Sequence, residues 1–165
     1  MGVRRLIIDS PIGPLTLFAD DDGLRRILFP NEEPDEPSLV DAQDAPDDAV
    51  LVETAQQVGE YFAGERTTFT LPLHLEGTNF ERETWRALAA IPYGETISYG
   101  EQADYIGRHG ASRAVGGANG RNPIPIVLPC HRVVGSDGSL TGFGGGLEIK
   151  QFLLDLEAGV QRLPF

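Results

Sequence analysis

Ser98-Tyr-Gly-Glu101-Gln-Ala103-Asp104-Tyr-Ile106-Gly-Arg108-His109-Gly110-Ala-Ser112-Arg113-Ala-Val-Gly116-Gly117-Ala118-Asn119 is the stretch on which the fold of this chain turns. Ser98 precedes Glu101 by three residues, the spacing at which a hydroxyl and a carboxylate satisfy each other's backbone amides at a helix start. With Tyr99, Ala103 and Ile106 facing inward, it predicts a helix that stops at His109-Gly110. Ala111-Ser112 opens a second helix through Arg113 to Asn119, so two helices follow one another across a tight glycine-containing turn, the outline of a helix-turn-helix. Gly116 and Gly117 within that second helix each cost about 1 kcal/mol relative to alanine. Such a cost marks a close approach, and the sequence leaves open whether a neighbouring helix or DNA makes it. Arg113, on the first turn, opposes the helix macrodipole and is better tolerated if it reaches an outside anion or base.

Working outward, Thr78 and Glu81 repeat the same spacing, and Phe80, Trp85, Leu88 and Ile91 supply a core face for a helix over residues 79–91, stopped by Pro92-Tyr93-Gly94. A last helix is predicted over 147–158, where Ile149, Leu153 and Glu157 recur every four residues. A carboxylate on a core stripe wants a partner. His131 is the natural candidate, and a solvated Glu157 at a fraying helix end is the alternative. The first half reads as a three-stranded meander (Val3–Ile8, Leu15–Ala19, Leu24–Phe29), then a Pro-, Asp- and Glu-rich connection over 30–48 expected to be solvated and mobile. A helix carrying Leu51, Ala55, Val58 and Phe62, capped by Gly64, and an extended segment over Thr67–Leu73 complete it. The predicted class is α+β in two domains, 1–77 and 78–165.

Cys130 is the only cysteine, in the run Asn122-Pro-Ile-Pro125-Ile-Val-Leu-Pro129-Cys130-His131-Arg132-Val133-Val134, read as a Pro-flanked apolar strand ending in a thiol. A lone cysteine is by default a small buried apolar group. A nucleophilic one needs cationic neighbours that favour the thiolate, and His131 and Arg132 stand next to it. One thiol excludes an internal disulfide, and with only His74, His109 and His131 beside it no Cys-rich zinc site can be built, so no structural metal is expected. The start shows no secretory h-region and no apolar run reaches membrane-spanning length, which predicts a soluble cytoplasmic protein.

The formal charge of -12 argues against a polyanionic partner until its distribution is read. Residues 1–77 hold five arginines against sixteen acids, whereas 78–165 hold eight basic residues against nine. Across 99–135, Arg108, Arg113, Arg121 and Arg132 face only Glu101 and Asp104, leaving a cationic segment around the thiol that can meet phosphates. Twelve of the thirteen basic residues are arginine and only Lys150 is lysine. This is similar to the acidic, lysine-poor composition of salt-in halophiles; drift in a GC-rich genome is the alternative.

Pro129-Cys130-His131-Arg132-Val133, preceded by Asn122-Pro-Ile-Pro125 and by Arg113-Ala-Val-Gly-Gly-Ala118, strongly resembles the O6-alkylguanine-DNA alkyltransferases, as do Ile91-Pro-Tyr-Gly94, Ser98-Tyr99 and Gly145-Gly-Leu147 with Lys150. The likeness covers residues 78 to 158. It implies an RNase H-like roll in the first half and a winged helix-turn-helix-like second half. It further implies that Cys130 takes the alkyl group from O6 of a flipped-out guanine, and from O4-alkylthymine as a second substrate. His131 would activate the thiol through a water, Glu157 would polarise His131, and Asn122 would brace the turn. Arg113 would be the finger that fills the flipped base's place, Tyr99 would contact the guanine and its 3′ phosphate, and the carbonyls of Cys130 and Val133 would read the guanine amino group. Ser98, Gly116, Gly117 and Arg132 join this DNA-facing set. Many family members carry a tyrosine-serine pair where this chain has Phe143-Gly144, so only backbone N–H groups there could hold O6.

Attack on an alkyl carbon leaves a thioether that water does not cleave, so the implied reaction is a single turnover. The resemblance further implies no cofactor, double-stranded DNA as the partner, and a monomer without an obligate protein partner. Alkyltransferase-like damage sensors, the non-catalytic alternative, lack the cysteine that this chain has. A thiol hydrolase would leave the cationic helix pair without a role.

Sixteen acids in the first 77 residues repel one another at low ionic strength and are screened within about 3 Å at 1 M salt. The melting temperature should therefore rise from about 0.1 M to about 2 M KCl with activity retained; a flat or falling melting temperature with activity lost would favour compositional drift.

Overall fold

In the computed structural model, which describes residues 2–160, the meander forms as β1 (Arg4–Ile8), β2 (Leu15–Asp20) and β3 (Gly23–Leu28), paired antiparallel from Arg4↔Ala19 to Ile8↔Leu15 and from Thr16↔Leu28 to Asp20↔Gly23. Period-2 alternation sends Phe18 to one face and Leu17 and Ala19 to the other, and all three are fully buried. Gly23 sits at φ +140, where a Cβ would lie 2.7 Å from the Pro72 carbonyl; its absence lets Leu24 exchange hydrogen bonds with Pro72 and His74 (2.8 and 2.9 Å). The segment predicted as extended over Thr67–Leu73 is thus not a strand but a single Leu24↔Leu73 bridge, held further by the buried Gln57 side chain on Thr70.

The acidic connection is the main correction in this half. It folds as α1 (Pro37–Val40) and β4 (Gln43–Asp44), the latter parallel to β1 and extending the sheet to the order β3-β2-β1-β4. Leu39 is fully buried against Val3, Phe18 and Leu28. The strand arginines pair with the acids around it: Arg4 with Asp48, Arg5 with Asp44, Arg25 with Glu36, Arg26 with Asp35. One large apolar anchor, Leu39, with Ala42 beside it in the same cluster, and four such pairs dock a segment whose composition alone reads as unstructured. Next, α2 (Ala49–Phe62) is N-capped by Asp48 and packs on β1, β2 and β3 through Leu51, Thr54, Val58 and Tyr61, one position off the predicted Ala55 and Phe62. Gly64 at φ +77 closes it, with Glu65 and Gly64 amides returning to the Glu60 and Tyr61 carbonyls.

The described chain separates after Leu75. The second unit contains α3 (Asn79–Leu88), α4 (Tyr99–Tyr105), α5 (Ser112–Gly120) and α6 (Leu147–Glu157), with a two-residue parallel ladder between β5 (Ile97–Ser98) and β6 (Val133–Val134). Both capping boxes are made, Thr78 with Glu81 and Ser98 with Glu101. Polar groups then clamp α3, α4 and α5: Trp85 Nε1 donates to the Ala118 carbonyl (2.7 Å), and Gln102 donates to Thr84 O while exchanging amide bonds with Asn119 (3.1 and 2.7 Å). Gly116 faces the Tyr99 ring, where a Cβ would lie 3.6 Å away in ordinary van der Waals contact, so helix packing alone does not demand glycine there; Gly117 is exposed. The α4–α5 pair thereby presents the first turn of α5 outward. No helix among the described residues is long and apolar enough to cross a membrane.

Candidate active site

The approach to the thiol is not the extended strand that the sequence predicts. Prolines at 123, 125 and 129 remove backbone donors, and residues 122–129 run as turns instead. Asn122 braces them from both sides, its Nδ2 donating to the Leu128 carbonyl (2.8 Å) and its Oδ1 accepting from the Ile124 amide (3.0 Å). Inside this brace Ile126, 1% exposed, sits at φ 74, a left-handed conformation that a β-branched residue adopts only under surrounding constraint. Cys130 then opens a 3₁₀ turn, Cys130–Arg132, closed by the Val133 amide on the Cys130 carbonyl. Successive side chains in such a turn diverge by about 120°, so the thiol and the next imidazole leave the backbone in different directions. The thiol is 7% exposed.

Glu157 gathers the groups behind it. Its Oε2 lies 2.6 Å from His131 Nε2 and 3.0 Å from an Arg132 terminal nitrogen, and its Oε1 accepts from Arg132 Nε (2.8 Å) and the Gly94 amide (3.1 Å). The side chains of His131 and Glu157 are 0% and 1% exposed. A carboxylate paired with a guanidinium only accepts, so the proton of a neutral His131 stands on Nε2 and the lone pair on Nδ1. That Nδ1 is buried with no hydrogen-bond partner among the described residues. Burial pushes the imidazole below its ordinary pKa, opposed by Glu157 and assisted by the charges of Arg132 and Lys150. A neutral base with a bare nitrogen can take a thiol proton, and Glu157 stabilises the cation that results.

Arg132 leaves the DNA-facing set. It is 5% exposed, spends Nε and one terminal nitrogen on Glu157 and the other on the Ile91 carbonyl (2.6 Å), and lies over the Tyr93 ring. Ile91 and Gly94, quoted in the sequence only as a motif, are thereby explained: their backbone groups complete the shell around the ion pair. Ser98 is occupied in its capping box. Tyr99 is half-buried, its hydroxyl donating to the Thr141 carbonyl (3.2 Å) and accepting from Thr141 Oγ1 (3.1 Å). The Val133 carbonyl already accepts from Lys150 Nζ (2.7 Å). Arg113 is exposed with no hydrogen-bond or ion-pair partner among the described residues, and Phe143 and Gly144 lie on the glycine-rich loop leading to α6. Outside this unit, Asp20, Asp22 and His74 bring three potential metal-ligating atoms within 4.8 Å, a grouping the sequence reading misses. Asp20 there is already paired with His74 (2.7 Å) and Arg25 (3.4 Å).

Against known families, the model for the 6-O-methylguanine DNA methyltransferase DNA-binding domain matches residues 79–159, and that for its ribonuclease-like domain matches residues 3–75. The chain belongs to this methyltransferase family. It is 52% identical over 150 residues to a methylated-DNA–protein-cysteine methyltransferase of Mycobacterium tuberculosis, covering 91% of this chain and 89% of that one. It is 49% identical to the Methanosarcina acetivorans protein of the same name, covering 92% and 96%. The crystal structure of the M. tuberculosis O6-methylguanine methyltransferase superposes with a TM-score of 0.87 at 48% identity, covering 97% and 95%, and another of that protein in complex with DNA with 0.84 at 48%, covering 96% and 94%. The methyltransferase fold is therefore common to this chain and those relatives.

Because folding depresses the His131 pKa from its ordinary 6.5, the unfolded chain takes up a proton that the folded one refuses. This contribution to stability is full above 6.5 and is lost as the pH falls, at up to about 1.4 kcal/mol per pH unit. Denaturation free energies measured between pH 8 and pH 5 should show that acid-side slope, reduced by about one proton in His131→Gln. Equal slopes in the two proteins would contradict a buried neutral imidazole.

Proposed function

We propose that this chain repairs DNA by moving the alkyl group from O6 of an alkylated guanine to the sulfur of its own Cys130, once and irreversibly. The observation that carries the reading is the sole thiol beside a buried imidazole whose unpartnered nitrogen is positioned as a base by Glu157. Family membership supports it, as does the DNA complex of the M. tuberculosis relative. The Cys130 S–H bond breaks and its proton passes to His131 Nδ1, through a bridging water. The thiolate attacks the alkyl carbon, the S–C bond forms as the C–O6 bond breaks, and the electron pair remains on the guanine. Guanine takes up one proton, balancing the one held on His131. The thioether persists, so one molecule repairs one lesion.

In-line attack has no room while the base is stacked, so the guanine must leave the duplex. Arg113, exposed and unpartnered on the first turn of α5, is the group to fill the vacated stack, with Gly117 on the same helix allowing the backbone near the groove. O4-alkylthymine is the second substrate, and the protein acts in the cytoplasm as a monomer. Missing hydroxyls at Phe143-Gly144 leave backbone N–H groups to hold O6.

Mass spectrometry after incubation with O6-methylguanine duplex should find one methyl group per chain on Cys130. Cys130→Ser should acquire none while still binding DNA, because the alcohol cannot supply the anion; an unmodified wild-type chain that still binds the lesion would indicate a sensor instead. Separately, Arg113→Ala should slow duplex repair by about tenfold or more yet change reaction with free O6-benzylguanine by less than about twofold. Equal slowing on both substrates would remove Arg113 from base extrusion.

A further inference from the structure

Lys150 is the chain's only lysine and is 0% exposed, on the first turn of α6. A buried ammonium ordinarily sits against a carboxylate. This one does not. Its Nζ donates to the Val133 carbonyl (2.7 Å), to the Thr141 carbonyl (3.0 Å) and toward the Tyr99 hydroxyl (3.5 Å), and it lies 5.9 Å from the centre of the Tyr99 ring. Those partners belong to three separate segments: the residue after the thiol's 3₁₀ turn, the glycine-rich loop, and α4. The carboxylate of the site, Glu157, is engaged by Arg132 and His131. The ammonium is therefore a positive charge held by dipoles alone.

We propose that Lys150 is a positioning residue for the transfer, tying the Val133 and Thr141 carbonyls together beside Cys130 and supplying the unneutralised positive charge that favours its thiolate. This rests on Cys130 being the group that reacts. The Val133 amide closes the turn on the Cys130 carbonyl, so the ammonium acts on the thiol's own backbone through one residue. Burial drives the lysine below its ordinary pKa while the charge on Cys130 opposes that drop, and such an attraction acts equally in both directions. The groups facing it are Tyr99 on α4 and Cys130 and His131 on the turn. Burial is the main cause that keeps His131 neutral, and the ammonium adds a smaller push in the same direction.

A single lysine makes the test clean. Lysine labelled with carbon-13 at Cε gives one side-chain signal, whose titration should shift to lower pH in Cys130→Ser, where the thiolate partner is gone. In Lys150→Met the rate of Cys130 modification by iodoacetamide should fall by about tenfold at a fixed pH below the midpoint, its pH profile displaced upward by about one unit, and Lys150→Arg should restore part of the rate. An unchanged lysine titration in Cys130→Ser, or an unchanged thiol profile in folded Lys150→Met, would overturn the proposal. Should Lys150→Met not fold, the lysine titration decides alone. Neither readout needs methylated DNA, so a wild-type protein that takes no methyl group would refute the activity, whereas unmoved titrations would refute the role of Lys150.

Discussion

The carboxylate of Glu157 is the point on which the reactive end of this molecule depends. Four donors from two stretches of chain converge on it: the imidazole of His131, two guanidinium nitrogens of Arg132 and the amide of Gly94. Buried ion pairs do little for stability in net terms, since desolvation cancels most of the attraction, but removing one partner costs about 3–5 kcal/mol because the other is stranded. What the pair secures is geometry. It fixes the tautomer of His131, spends the charge of Arg132 inside the protein, and ties the end of α6 to the loop after α3. Among the described residues, Lys150 is then a buried cation of this unit with no acid partner.

This arrangement separates two electrostatic tasks within a few residues. Arg132 and Glu157 cancel, so the imidazole lives in a neutral, desolvated cradle and stays unprotonated. Lys150 does not cancel. The charge left to face outward is on residues such as Arg113, whose guanidinium meets no acid among the described residues. In the first unit the five arginines are taken up by acids of the same unit, leaving an excess of carboxylates.

Local rules carried most of the architecture into the sequence. The two capping boxes, the meander turns and the Gly64 cap depend on neighbours three to five residues apart, and each stands where its residues indicate. The acidic connection misled because its order rests on one leucine and on arginines up to 44 residues away, partners that composition cannot reveal. The pairing of Glu157 with His131 was legible from the four-residue stripe. The inward turn of Arg132 was not, since adjacency to the thiol suggested an outward cation, and only the 3₁₀ turn decides which way residue 132 points.

Ile126 bears on how freely this segment can vary. Its backbone asks for glycine, asparagine or aspartate, while its side-chain pocket, 1% exposed, asks for a large aliphatic group. No residue type meets both demands, so each single exchange trades one penalty for another: glycine relaxes the backbone and empties the pocket, and an amide fits the backbone and buries unpaired polar atoms. The turn leading to the thiol is consequently intolerant of most single exchanges at this position, for reasons of fold alone.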